Sequence, residues 1–354
     1  MPWTLAHRAP LKTVGAALGL FGLLVAVSHA GRLDDPPDAP QRLLAAPPQA
    51  YAEIMLPGGP GKDGIPSIDR PRFEDAASAE RFLAPEDWVF GVYHGGQARA
   101  YPQRILVWHE IVNDRIAGEP LCITYCPLTG TALGFQRGDS EFGVSGKLVN
   151  SNVVMYDRAS DSHWSQIPGV AISGPAQGRQ LAEIRVFWST WANWRARHPD
   201  TLVLTTDTGA LRNYRRDPYG SYQPLRGYYA ADALMFPVMH EDARYPSKHS
   251  ILGFRTASVA VAVDKAYLRA QQLIHYRHGD EHFLIIHDPG LDTGWVLRAD
   301  RPVPLDPASL RFTAEGPQAE GLQGLEPINA FEAMWFAWYA FYPETVLLDG
   351  HEQD

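Results

Sequence analysis

Only two of the 354 residues are cysteine, Cys122 and Cys126. A framework of several disulfides is therefore excluded. No basic cluster stands out beyond Arg212 to Arg216, and 31 basic residues face 40 acidic ones, which speaks against a nucleic-acid surface. After residue 27 every apolar run is broken by charge, glycine or proline, so no later stretch reads as a membrane span. The chain also lacks HExxH, GxSxG, two-Cys-two-His and EF-hand spacings. Residues 57–73 carry glycines and Lys62, but Pro66 sits where the helix of a phosphate loop would begin.

What is abundant is Gly (31), Pro (29), Tyr (15) and Trp (10), beside a hydrophobic fraction of 45%. That mixture predicts short strands, many turns and aromatic cores in a soluble α+β protein. At the N-terminus, His7, Arg8 and Lys12 precede an apolar run from Val14 to Val27 and then Ser28-His29-Ala30. This is the layout of a secretory signal, and the run is shorter than the roughly 20 residues of a comfortable span. Residues 1–30 are read as a signal peptide or anchor. The folded part is expected in the periplasm or otherwise outside the cytoplasm, with residues 13–27 as its only membrane contact.

Residues 31–50 read as a Pro-rich linker and 51–75 as a wrapping loop held by Asp63 and Asp69. The organising stretch is Leu121-Cys122-Ile123-Thr124-Tyr125-Cys126-Pro127-Leu128-Thr129-Gly130, a strand running into a tight turn. Along an extended strand the two cysteine α-carbons lie about 13 Å apart. A disulfide needs them within roughly 7 Å, so both thiols are expected free. Upstream, Pro102 opens a helix expected to carry Ile105, Trp108 and Val112 inward, with His109 and Asn113 one turn apart. A second helix is expected over about 184–198, with Phe187, Trp191 and Trp194 on one face.

The second half answers the first. Gly253 follows Gly91, and Asp288-Pro289 follows Cys126-Pro127, at one constant separation. At a shorter separation, Phe331, Trp335, Trp338, Pro343 and Thr345 answer Phe187, Trp191, Trp194, Pro199 and Thr201. The expectation is an internally duplicated unit with two pseudo-symmetric halves packed together. Residues 76–205 form the first repeat, 206–249 a connector and 250–349 the second. Where the first half has His109, Glu110 and Cys126, the second has Gln271, Gln272 and Asp288. Thiol and imidazole thus occur in one copy only, as expected if that copy carries the site.

Cys126, at a strand end, is either a functional thiol or a small residue packed in the core. His109, Glu110 and Asn113 are candidate polar walls around it, and Asn152, Asp157 and His163 candidate supporting groups. Cys126, His109 and His163 are donors suited to copper or zinc. Cys126 as nucleophile with His109 as base, oriented by Asn113, Glu110 or Asp157, would instead make a thiol-dependent hydrolase or transferase. A third reading is a non-catalytic module that binds another cell-envelope protein.

Several motifs stand together: Asp63-Gly64-Ile65-Pro66-Ser67-Ile68-Asp69, Ala100-Tyr101-Pro102, His109-Glu110-Ile111-Val112-Asn113-Asp114, Tyr125-Cys126-Pro127-Leu128 and Met155-Tyr156-Asp157-Arg158. In that combination the chain resembles the bacterial family known as domain of unknown function 3179. Members often have Cys-Pro-Leu-Cys, whereas Thr129 takes the last position here. The resemblance implies an exported or membrane-tethered bacterial protein and brings no activity with it. The function expected from these residues is binding of a small ligand or soft metal in a cleft around Cys126.

Overall fold

Two tryptophans lying flat over two glycines mark how the sheets are covered. The computed structural model describes residues 36–37 and 39–351. The signal segment, its tether and the first residues of the linker lie outside the described residues. The protein is a strand-rich α+β fold in which strands far outweigh helices. Among the described residues no helix is long and apolar enough to cross a membrane.

A five-stranded sheet takes the order Phe187–Thr190, Trp88–His94, Gln97–Pro102, Leu202–Leu204, Phe73–Asp75. A four-stranded sheet takes the order Ala330–Met334, Ser250–Arg255, Ala260–Asp264, Val346–Leu348. In each, the hairpin is joined on one side by an antiparallel strand and on the other by a parallel one. The Trp194 ring occupies the space a Cβ on Gly91 would take, at 2.2 Å, and Trp338 does the same over Gly253 at 2.3 Å. Each buried indole needs an acceptor for its N–H: Trp194 donates to Thr201 Oγ1 at 3.0 Å, and Trp338 to Thr345 Oγ1 at 2.9 Å.

Two further sheets match in strand order. One runs Ile111–Ile116, Glu119–Cys126, Thr131–Gln136, Glu183–Ile184. The other runs Leu273–His278, Glu281–Asp288, Thr293–Ala299, Glu326–Ile328. Between Thr131–Gln136 and Glu183–Ile184 the chain leaves to build most of a separate five-stranded sheet, from Phe142–Val149 to Val170–Ser173, with Leu56–Pro57 on its edge.

Both expected helices are shorter than the sequence suggests. The first is Gln103–His109, because Glu110 turns left-handed (φ 57°) and ends it. Ile111–Ile116 then pairs as a strand with Glu119–Cys126, as its β-branched residues favour. His109 and Asn113 therefore do not share a helix face, which corrects that expectation. Over 184–198, Phe187–Thr190 is a strand, and the helix starts only at Trp191. Thr190 caps it by accepting from Asn193 N.

Candidate functional site around Glu110 and Cys126

Strand Glu119–Cys126 is covered on both faces. Period-two alternation sends Leu121, Ile123 and Tyr125 into one core cluster and Cys122 and Cys126 into another. Both thiols are free and buried. Cys126 is 1% exposed, and its Sγ–H points to Ser151 O at 3.9 Å. Of the two readings of Cys126, the thiol's packing within a core cluster is what the structure shows, and the expected cleft does not open onto the sulfur. Burial pushes the Cys126 thiol up to about 11 and the nearby Glu110 carboxyl adds to that, while Thr129 and the backbone at Val153 oppose it. At neutral pH the sulfur holds its proton, so it is not a thiolate nucleophile in this closed form.

Glu110 arrives here because of the turn it makes. Its N–H closes the helix on Leu106 O at 2.7 Å, and its carbonyl accepts from Tyr125 N at 2.7 Å. The residue is 6% exposed, and among the described residues its carboxyl makes no hydrogen bond. Burial pushes that carboxyl up to about 8. A largely buried carboxyl that bonds no protein group is uncommon, and here its oxygens keep a little accessible surface.

Below this pair lies a closed polar network. Thr129 Oγ1 meets Thr131 Oγ1 at 2.8 Å, and Thr131 Oγ1 donates to Gln166 Oε1 at 2.8 Å. Asn152 Nδ2 donates to Thr129 Oγ1 at 2.9 Å and to Gln166 Oε1 at 2.7 Å. Such a satisfied network fixes the turn after Cys126. Above the pair lies the connector. Tyr228 donates its hydroxyl to Leu128 O at 2.7 Å, and its pKa is raised by burial and then by Cys126. Tyr219 is raised by burial first, then by Glu110 and Cys126.

A family model described as "Protein of unknown function (DUF3179)" matches residues 62–345. The chain belongs to that family. No curated protein and no solved structure matches it.

The other residues singled out in this DUF3179 member are held elsewhere. His109 donates from Nδ1 to Pro66 O at 2.7 Å, which leaves Nε2 to accept from the Tyr214 hydroxyl at 2.7 Å. Both ring nitrogens are thus occupied, and burial, followed by Arg212, lowers the imidazole pKa. His109 is corrected from a base for Cys126 to a clamp between the 57–73 loop and the connector. Asn113 donates to Asp69 at 2.7 Å and to Phe142 O at 2.8 Å, and accepts from Phe142 N at 2.9 Å. Asp157 accepts from Ser160 N at 2.6 Å and from Trp164 Nε1 at 2.8 Å. Both orient the scaffold and neither orients the thiol.

His163 is half-buried, meets Ser173 Oγ at 3.3 Å, and has its pKa lowered by burial first and then by Lys147. Among the described residues no group of three or more His, Cys, Asp and Glu side chains is placed to hold a metal ion. The donor set of Cys126, His109 and His163 is therefore corrected too: local sequence offers the donors, and the fold does not bring them together. Tyr219 and Tyr228 were missed by sequence reasoning. The signal was there in the tyrosine run Tyr219, Tyr222, Tyr228 and Tyr229 inside a Gly- and Pro-bearing connector.

Proposed function

We propose that this is an exported bacterial envelope protein, built from a duplicated α+β unit, that binds a small ligand at the Glu110–Cys126 pair. Duplication is supported by the matched strand orders and by the paired Trp-on-Gly contacts. The insertion between Thr131–Gln136 and Glu183–Ile184 accounts for the change in separation between the two halves. In the second half Gln272 repeats the left-handed turn (φ 62°), but Asp288 replaces the thiol. Asp288 is spent on a bidentate pair with Arg197 and a bond from Trp295. Scaffold thus recurs while the unpartnered acid and the thiol occur once.

The observation that carries the binding reading is the Glu110 carboxyl: the residue is 6% exposed, no described group bonds its oxygens, and those oxygens keep a little accessible surface instead of being sealed. A ligand group bonded to it would satisfy that buried acid. Entry would follow displacement of the connector that carries Tyr219 and Tyr228. A thiol-dependent hydrolase or transferase is the second reading: Glu110 is close enough to raise the Cys126 pKa and, ionised above about pH 8, would be a carboxylate able to accept the thiol's proton. Glu110 would then serve where His109 was expected.

Native mass spectrometry of the chain released gently from a periplasmic fraction tests this. A small organic adduct on the wild type, lost in both Glu110→Gln and Cys126→Ser, is the expected result. A copper or zinc mass that disappears with Cys126→Ser would replace it by the metal reading. An adduct retained in both variants, or none in the wild type, overturns it.

A further inference from the structure

A cleft of about 380 Å³ lies between Trp88, Trp188 and Tyr222 on one side and the start of helix Lys265–Gln271 on the other. Its volume falls within the roughly 300–1,000 Å³ of small-molecule sites. Gly130, from the turn after Cys126, also lines it. Glu110 and Cys126 do not, so the site stands on different residues from the pair described above.

The aromatic wall is held by edge-to-face contacts. Trp188 meets Trp88 at 6.1 Å and Tyr222 at 5.4 Å, and Tyr222 is backed by a stacked Tyr229 at 3.9 Å. The opposite wall is charged but balanced: Lys248, Lys265 and Arg269 against Asp264, Asp292 and Glu332. Arg269 grips Asp292 at 2.7 and 2.8 Å, and His249 Nε2 meets Asp264 Oδ2 at 2.7 Å. Glu332 is buried and accepts from Thr293 at 2.6 Å.

One donor keeps capacity to spare: Lys265 Nζ, with three N–H groups, reaches Glu332 only at 3.5 Å. A balanced lining disfavours a polyanion, whose charge would meet three carboxylates. A rigid aromatic wall favours a flat apolar face, and spare N–H donors beside carboxylate acceptors favour hydroxyl groups.

We propose that this cleft binds a neutral saccharide, its C–H face on Trp188 and Tyr222 and its hydroxyls between Glu332 and Lys265. Titration of the full chain with maltose, with N,N′-diacetylchitobiose and with citrate, followed by tryptophan fluorescence, tests this. At least one disaccharide should give a saturable change below about 1 mM while citrate gives none. Trp188→Ala and Glu332→Gln should each weaken that binding about ten-fold or more. Lys265→Met, at the partly exposed edge of the cleft, should weaken it too and keeps the test valid where a buried variant fails to fold. The proposal falls if neither disaccharide saturates by about 10 mM, if citrate binds as tightly, or if the folded variants keep wild-type affinity.

Discussion

The Glu110 carboxyl lies near enough to Cys126 to raise the thiol's pKa, yet it makes no hydrogen bond of its own among the described residues. Burial alone shifts this acid from its ordinary 4.5 to about 8. The folded value lies above the unfolded one, so stability is full below about 4.5 and falls as pH rises through about 8. Glu110→Gln removes that loss. Urea unfolding should show the variant more stable by about 3 kcal/mol at pH 7 and equal to the wild type at pH 4. Equal stability at pH 7 would mean that the carboxyl finds a partner in solution.

Access to the thiol depends on the connector. Tyr228→Phe deletes the bond to Leu128 O, worth about 1 kcal/mol, and eases opening over Cys126. N-ethylmaleimide should label Cys126 several-fold faster in the variant than in the wild type. Cys122, deep in the same strand, should stay protected in both. Equal acceleration at the two thiols would indicate global unfolding instead.

Glycines 91 and 253 are required by the rings above them. A methyl group at either would sit 2.2 or 2.3 Å from Trp194 or Trp338, well inside contact distance. Gly91→Ala and Gly253→Ala should each destabilise the fold by about 1–3 kcal/mol in denaturant titrations. A larger loss from only one would show that the halves differ in how far their helices shift.

Asp288 anchors the second half through Arg197, with bonds of 2.9 Å to both carboxylate oxygens. Asp288→Ala leaves Arg197 without its carboxylate and should cost about 3–5 kcal/mol, read as a lowered Tm. Asp288→Cys, which places there the residue type of Cys126, should cost as much. The carboxylate geometry, rather than side-chain volume, holds that turn.

Much of the scaffold was readable in local pattern. The strand ending at Cys126, the free cysteines and the Trp and Gly landmarks follow from period-two alternation, strand rise and turn residues, all set within a few positions. The second helix is shorter than its pattern suggests because Phe187 extends the spacing of Trp191 and Trp194 back into a strand, and the first because Ile111 and Val112 continue an apolar period of either kind. A single left-handed residue, Glu110, decides between them. The pairing of His109 with Cys126 failed for a different reason. Neighbouring motifs in sequence do not fix side-chain direction, and both imidazole nitrogens are taken by Pro66 and Tyr214.

Residue order by itself determined strand Glu119–Cys126, the turn after it and the family to which the chain belongs. Only the tertiary structure decided that Cys126 is sealed and that Glu110, not His109, is close enough to raise its pKa. Burial is a sum over distant segments: the tyrosines that close this site sit about a hundred positions from the residues they cover, beyond the reach of any local periodicity.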